Sequence, residues 1–337
     1  MRKWLPPLAL LSLLSILLGV YIGPVKVGFS DVTAGIAYGV KLTLARFTGW
    51  KVGGEPRYFI IVWELRLPEV LLAYLVGVSL ASAGTASQAL FRNPLADPYI
   101  IGISSGAALG AALATLISPI YMGPFALVFS LLSVLIVYTV SKVDEGIPVD
   151  TLLLAGIAYG FLANAGTWYV YATHPESTQI TMMWLLGSFG GATWGEVLLM
   201  LAVSALGAGF LSMKWRELNL ILFGEESIAL GLDVHLYRKV FLFTVAVLTA
   251  FAVYTSGIIG FVGLMSPHIV RLLLGPNHRD LTPASALFGG TLLVFADLLS
   301  RTVARPTVLP VGIITALMGA PFFLYLLMKH KRGELVA

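Results

Sequence analysis

Apolar runs of about 20 residues, broken by short polar segments, repeat along this chain from end to end. A helix of that length is what the hydrocarbon core of a bilayer requires. Ten such runs fall at roughly 4–22, 64–90, 98–117, 121–141, 151–172, 192–212, 236–255, 258–275, 283–302 and 311–328. Gly and Pro recur inside them, as membrane helices tolerate. The alternating ten-residue strands of a membrane β-barrel are absent. The pattern predicts an all-α polytopic membrane protein with ten transmembrane helices, forming a single domain over residues 1–337. Its function must then be carried by the polar segments between the spans.

Composition agrees. Hydrophobic residues make up 58% of the chain and charged residues only 11%, against about 25% charged in a soluble domain. The mean hydropathy is +0.90. The lipid bilayer is therefore a partner, and a net charge of +4 needs no nucleic acid to explain it. The absence of Cys excludes a disulfide framework and any Cys-ligated metal or iron–sulfur site. Met1-Arg2-Lys3-Trp4 before the apolar run Leu5 to Val20 resembles a signal peptide. Tyr21-Ile22-Gly23-Pro24 follows where a small-x-small cleavage site would stand, which predicts an uncleaved first span. Ten spans put both termini on one side. With both termini in the cytoplasm, 13 of the 21 Lys and Arg lie inside, including the basic stop Lys329-His330-Lys331-Arg332. Six of the eight outside cations fall on or beside one longer loop, where charge orients a protein less.

Three segments between spans are long enough to hold structure. Asp31 to Thr48 reads as a short surface helix outside. His174 to Gly191, with Met182, Met183 and Trp184, reads as a short helix at the membrane edge. Lys214 to Arg238 is the sizeable inside segment. Two inside loops, Arg92 to Pro98 and Pro276 to Pro283, both bear Pro and are either an echo of repeated halves or a coincidence.

No G-x-x-x-x-G-K-[ST] occurs, so the chain has no P-loop for ATP. Nor does it carry the midplane acids of an ion-coupled transporter: only Asp297 is well inside a span. Arg301, four residues on, shares its helical face. The two form a structural ion pair, or Arg301 is left for an outside partner. Gly102, Gly106 and Gly110, and Gly156 and Gly160, line helix faces that either pack closely or border a wide path. The inside run Leu218 to Asp233 joins apolar residues to Glu225-Glu226 and a Gly stop at Gly231. It reads either as a plain interfacial helix or as an element that inserts into a groove on a soluble partner.

These residues together resemble the permease subunits of type II ABC importers for iron-siderophores, haem, cobalamin and related chelates. The resemblance is carried by Arg66-Leu67-Pro68, by Phe91-Arg92-Asn93-Pro94-Leu95-Ala96-Asp97-Pro98 with Gly102-Ile103-Ser104-Ser105-Gly106, and by Trp184-Leu185-Leu186-Gly187-Ser188. It continues through Gly224-Glu225-Glu226 to Leu230-Gly231, Gly260 to Arg271, and Pro310 to Phe322. The motifs stand in order over nearly the whole chain.

The resemblance implies a homodimer with the path at its interface, two separate ATP-binding subunits inside, and a substrate-binding protein outside. It implies no cofactor, no metal and no catalysis by this chain. The segment at about 217–234, with Leu220, Gly224, Glu225, Glu226, Ala229, Gly231 and Leu232, would be the coupling helices that dock on the ATPase. Asn93, Pro94 and Leu95 would form one cytoplasmic gate, and Val149 and Asp150 a second. Arg66 and Arg301 would face outward to carboxylates on the binding protein. At Glu69 the chain departs from the relatives that carry a second Arg there, which leaves Arg57 or Arg305 as the substitute. His268 stands alone beside Pro267 and is expected to order a span end by bonding freed backbone groups rather than to bind metal. Met182 and Met183 are expected to pack rather than to contact a ligand. The competing function is an ion-coupled secondary transporter that works without an ATPase, with Asp297 as its midplane charge.

Overall fold

The computed structural model describes residues 3–50, 53–143 and 146–331. Arg2, Lys51, Asp144, Glu145 and Arg332, which enter the charge pattern, lie outside that description, as do the side chains of Lys329, His330 and Lys331. Among the described residues the chain forms thirteen α-helices and no strand. They are α1 (Leu5–Tyr21), α2 (Phe29–Thr48), α3 (Leu67–Leu90), α4 (Ile103–Thr115), α5 (Met122–Ser141), α6 (Val149–Thr173) and α7 (Pro175–Leu185). There follow α8 (Trp194–Met213), α9 (Trp215–Leu220), α10 (Val234–Ser256), α11 (Val262–Leu274), α12 (His278–Thr302) and α13 (Val311–Lys331). We call the end of the bundle that carries α9 basal and the end that carries α2 and α7 apical.

Six stretches, counting α3 together with the π-helical turn Ile60–Arg66 that leads into it, are long and apolar enough to cross a membrane. Four shorter apolar helices join them, and the ten coincide with the ten expected spans. The boundaries differ where polar chemistry intervenes. Asn277 Oδ1 accepts from Arg279 N at 3.0 Å and starts α12 ahead of Pro283. The loop Pro276 to Pro283 thus collapses into a helix start and does not share the conformation of Arg92 to Pro98.

The core is built around α3. Every residue from Ser79 to Leu90 is buried, and the run is rich in Ala, Ser and Gly. Without bulky side chains the backbones of α12, α10, α8 and α11 come close on several sides. At Gly84 a Cβ would collide with the carbonyl of Gly263, so only glycine permits that approach. Gly106 and Gly110 serve α4–α5 packing in the same way, facing the carbonyls of Phe129 and Phe125.

Helices α4 and α11 have 13 residues each, about 20 Å of rise, too little to cross a hydrocarbon core alone. Irregular chain at 91–97 followed by the 3₁₀ turn Pro98–Ile101 leads into α4, and irregular chain at 257–261 leads into α11. Such backbone survives at membrane depth only where its polar groups find partners. One side chain joins the two breaks: from the first, the Tyr99 hydroxyl donates to Ile259 O in the second at 3.3 Å and accepts from Ile259 N at 3.4 Å.

At the apical end the turn after α7 is stitched to two other elements. Ser188 N donates to Ser256 O (2.9 Å) and Ile258 N to Leu185 O (3.2 Å). Val311 N donates to Gly187 O and Gly312 N to Leu186 O, both at 3.0 Å. Orphan groups at the ends of α7, α10 and α13 are thereby satisfied in one knot.

Candidate functional site

The basal segment between α8 and α10 is a helix, a kink and a stop. α9 runs into a 3₁₀ stretch, Ile221–Leu230, which is interrupted at Gly224 with φ 63° and ψ −134°. Residues with a side chain are almost excluded from that conformation. Gly231, at φ 84°, ends the stretch by donating its N–H to Ile228 O at 2.9 Å. The Asp233 carboxylate then caps α10 through Leu236 N (2.9 Å).

This geometry sorts the side chains. Leu218, Ile221, Ser227 and Leu232 turn inward and are buried, and Leu220 is partly buried against the same core. Leu222, Phe223, Ile228 and Leu230 turn outward, with Leu230 62% exposed. Glu225, Glu226, Ala229 and Gly231 are exposed among them. The result is an apolar knuckle with an acidic rim, fixed from behind.

Polar and ring contacts fasten α9 to the bundle. Asn219 Oδ1 accepts from His278 N at 3.0 Å, and Asn219 Nδ2 donates to Asn277 Oδ1 at 2.9 Å. The Arg279 guanidinium lies 5.9 Å from the ring centre of Trp215. Lys214 Nζ lies 2.9 Å from Glu217 Oε1 and 3.2 Å from the Tyr237 hydroxyl. Those two partners, Glu217 first, hold the ammonium above its ordinary pKa.

The two expected gate loops flank the kink. Asn93 and Pro94 are exposed and Leu95 is half-buried. Asn93 N donates to Gln88 O at 3.1 Å, and Asn93 Oδ1 accepts from Leu95 N at 2.9 Å, a tight turn at the foot of α3. Val149 and Asp150 begin α6, with Asp150 exposed. A cleft of about 240 Å³ separates that loop from the kinked segment, lined in part by Arg92, Ile147, Val149, Asp150, Glu225 and Arg238. The structure thus brings the two loops and the kinked segment to one face.

The apical arginines are arranged otherwise than expected. Arg66 is 4% exposed and Arg301 2%. Both turn toward the last turn of α1, whose carbonyls carry the negative end of the helix dipole. Arg66 Nη1 donates to Val20 O and Tyr21 O, each at 3.2 Å, and Nη2 contacts Val25 O. Arg301 Nη2 donates to Gly19 O at 3.3 Å and sits 2.7 Å from Asp297 Oδ2, with Glu69 Oε2 3.6 Å from Nη1. Arg305 Nη2 donates to Gly23 O at 3.0 Å, but its side chain is exposed. The outward presentation expected of Arg66 and Arg301 is therefore corrected: buried carbonyls and carboxylates outcompete solvent for them. The ion pair expected of Asp297 and Arg301 is present.

His268 does not bond freed backbone groups as expected. Neither ring nitrogen has a partner, and the ring meets Phe322 edge-on at 6.0 Å between centres. Met182 and Met183 are exposed instead of packed. Sequence reasoning passed over Arg238, Arg92 and Tyr99 as chemistry-bearing residues. Arg238 had one signal, a charge four residues into an apolar span, but its partners lie 13 and 91 residues away in sequence.

Among the described residues the chain is an apolar helical bundle without strands, with helices long and apolar enough to cross a membrane, which defines a polytopic membrane protein. Comparison with known proteins gives the family: the chain belongs to the FecCD transport family, whose model matches residues 10–329. It is 43% identical over 294 residues to the cobalamin import system permease protein BtuC of Halobacterium salinarum, covering 86% of this chain and 79% of that one. It is 39% identical over 305 residues to the hemin transport system permease protein HmuU of Yersinia pestis, covering 86% and 90%. A solved structure of a metal-chelate type ABC transporter in an inward-facing conformation superposes with a TM-score of 0.84. The two are 29% identical, with 98% of this chain and 100% of that one covered. The protein is a permease subunit of an ABC importer, multi-pass in the membrane, in a family that works with an ATPase and a binding protein.

Proposed function

We propose that two copies of this chain form a single-domain permease dimer that carries a metal chelate, such as cobalamin, haem or an iron-siderophore, or a related oxyanion, across the cell membrane into the cytoplasm. The basal end, with both termini, is cytoplasmic. Two ATP-binding subunits dock on the knuckle at 217–234, meeting Glu225, Glu226, Ala229 and Gly231 directly, while Leu220, Gly224 and Leu232 hold it in shape from behind. Their closure shifts the docking segment and opens or shuts the loops at Asn93, Pro94, Leu95, Val149 and Asp150. A binding protein delivers cargo at the apical rim. Arg305 meets its carboxylates directly, while Arg66 and Arg301 hold the rim in shape.

The observation that carries this reading is the exposed apolar set Leu222, Phe223, Ile228 and Leu230 beside both loops. An apolar knuckle on an aqueous face calls for a protein partner. An ion-coupled carrier would need a chargeable group free to exchange its ion, and Asp297 is committed to Arg301. The test is uptake of cobalamin or haem by proteoliposomes holding this chain, its ATPase and its binding protein. Uptake that requires ATP and the ATPase supports the reading. Uptake driven by an ion gradient without the ATPase overturns it.

A further inference from the structure

We propose that Arg238 is a positioning residue that conveys movement of the docking segment to the second gate loop, and that Arg92 does the same for the first. The proposal rests on the functional reading above and gives a task to Arg238, which no motif marked, and to Arg92, which stood in a motif without a role of its own.

Two neighbouring residues of the docking segment each meet a different loop. At Gly224, an added Cβ would lie 2.7 Å from Arg92 Nη1, so this guanidinium rests on the kink itself. Arg92 immediately precedes Asn93 and is held at φ 50°, a left-handed conformation that aims its side chain back across the turn. At the next residue, Glu225 Oε1 lies 2.7 Å from Arg238 Nη1. The same Nη1 donates to Ile147 O at 3.5 Å, two residues before Val149.

Arg238 is suited to transmit rather than merely to hold. Its side chain is 7% exposed and rooted at the fifth residue of the 23-residue α10, whereas Glu225 is 59% exposed and belongs to the segment. A guanidinium can face two acceptors at once; an ammonium point charge does so less well. The receiving loop is anchored by Ile147, which is buried in the core, with Val149 packed against the same core, so a shift of the Ile147 carbonyl reaches Val149. Pro148 supplies no side-chain cap to α6. Beyond the Arg238 contact, the turn is closed by the Val143–Gly146 backbone pair at 3.1 and 2.9 Å. The cleft of about 240 Å³ between loop and segment gives the two room to approach.

A structural role would make loss of Arg238 harm folding and transport together. A transmitting role separates the two loops, and the test reads each one. The chain has no Cys, so Val149→Cys and Leu95→Cys each introduce a single reporter. In liposomes holding the permease–ATPase complex, reactivity toward a water-soluble maleimide is measured with and without ATP. In each parent, ATP is expected to change the labelling rate by about fivefold or more, the lower end of ordinary allosteric coupling.

Adding Arg238→Gln is expected to abolish the change at position 149 and leave it at 95, with ATP hydrolysis retained. Arg238→Lys, which keeps the charge facing Glu225, should restore part of it. Arg92→Gln should show the converse, losing the response at 95 and keeping it at 149. Should Arg238→Gln fail to fold, Arg238→Lys carries the test, with a reduced change expected at 149 and an unaltered one at 95. A full ATP response at 149 in these variants overturns the proposal, as does loss at both positions together. No ATP response at either position in a parent complex that hydrolyses ATP overturns the functional reading, and this inference with it.

Discussion

The guanidinium of Arg301 lies 2.7 Å from the carboxylate of Asp297, one helical turn away, and both side chains are almost wholly buried. Glu69 stands 3.6 Å from the far side of the same guanidinium, so one cation joins α3 to α12. Removing one member of a buried pair strands the other without solvent, which costs about 3–5 kcal/mol. Asp297→Ala should therefore lower the melting temperature and folded yield in detergent. Asp297→Ala with Glu69→Ala should be worse than either alone. A melting temperature unchanged in the double variant would contradict the network.

The three apical arginines should divide by burial. Arg66→Glu and Arg301→Glu place a carboxylate against the carbonyls of α1 and are expected to lower stability. Arg305→Glu alters an exposed group and should leave the melting temperature near that of the parent. Its expected effect is on binding-protein affinity: about 0.5–1 kcal/mol, a few-fold in Kd, and weaker at high salt. Titration of the binding protein at two ionic strengths checks this. An Arg305→Glu variant with parental affinity at low salt would remove Arg305 from the docking surface.

Gly231 and Gly224 make a contrasting pair. Around Gly231 nothing lies within 4 Å of an added Cβ, so Gly231→Arg costs the fold only the left-handed strain, about 1–2 kcal/mol. It should insert normally yet abolish transport and substrate-stimulated ATP hydrolysis by blocking the partner's groove. Normal transport by that variant would refute docking at this stop. Gly224→Ala meets Arg92 as well as a forbidden backbone conformation. It should lose about 1–3 kcal/mol of stability, read as a lower denaturation midpoint than that of Gly231→Ala.

Gly257 closes the apical knot. At φ 72° and ψ −165°, its Cβ position coincides with the carbonyl of Trp184. Gly257→Ala must part the turn after α7 from α10 and should cost about 2–4 kcal/mol through strain and lost hydrogen bonds. The variant is expected to show a cooperative loss of thermal stability. Parental unfolding would show that the knot contributes little.

Much of this was legible along the chain. The ten apolar helices follow from local hydropathy, because each span must satisfy its own backbone in lipid whatever its neighbours do. The surface helix at Phe29–Thr48 and the stop at Gly231 were equally local. The positions of 93–95 and 149–150 beside 217–234 were implied by resemblance, and the fold brings them to one face. What the sequence could not show was direction. Arg66 and Arg301 look like outward charges at span ends, but only the fold brings the last turn of α1 against them, from 45 to 282 residues away. The short reach of α4 and α11 was masked too, because residues 98–102 and 258–261 are as apolar as helix. Hydropathy measures what a segment prefers to be dissolved in. It is blind to whether a distant hydroxyl, here that of Tyr99, stands ready to satisfy a broken backbone.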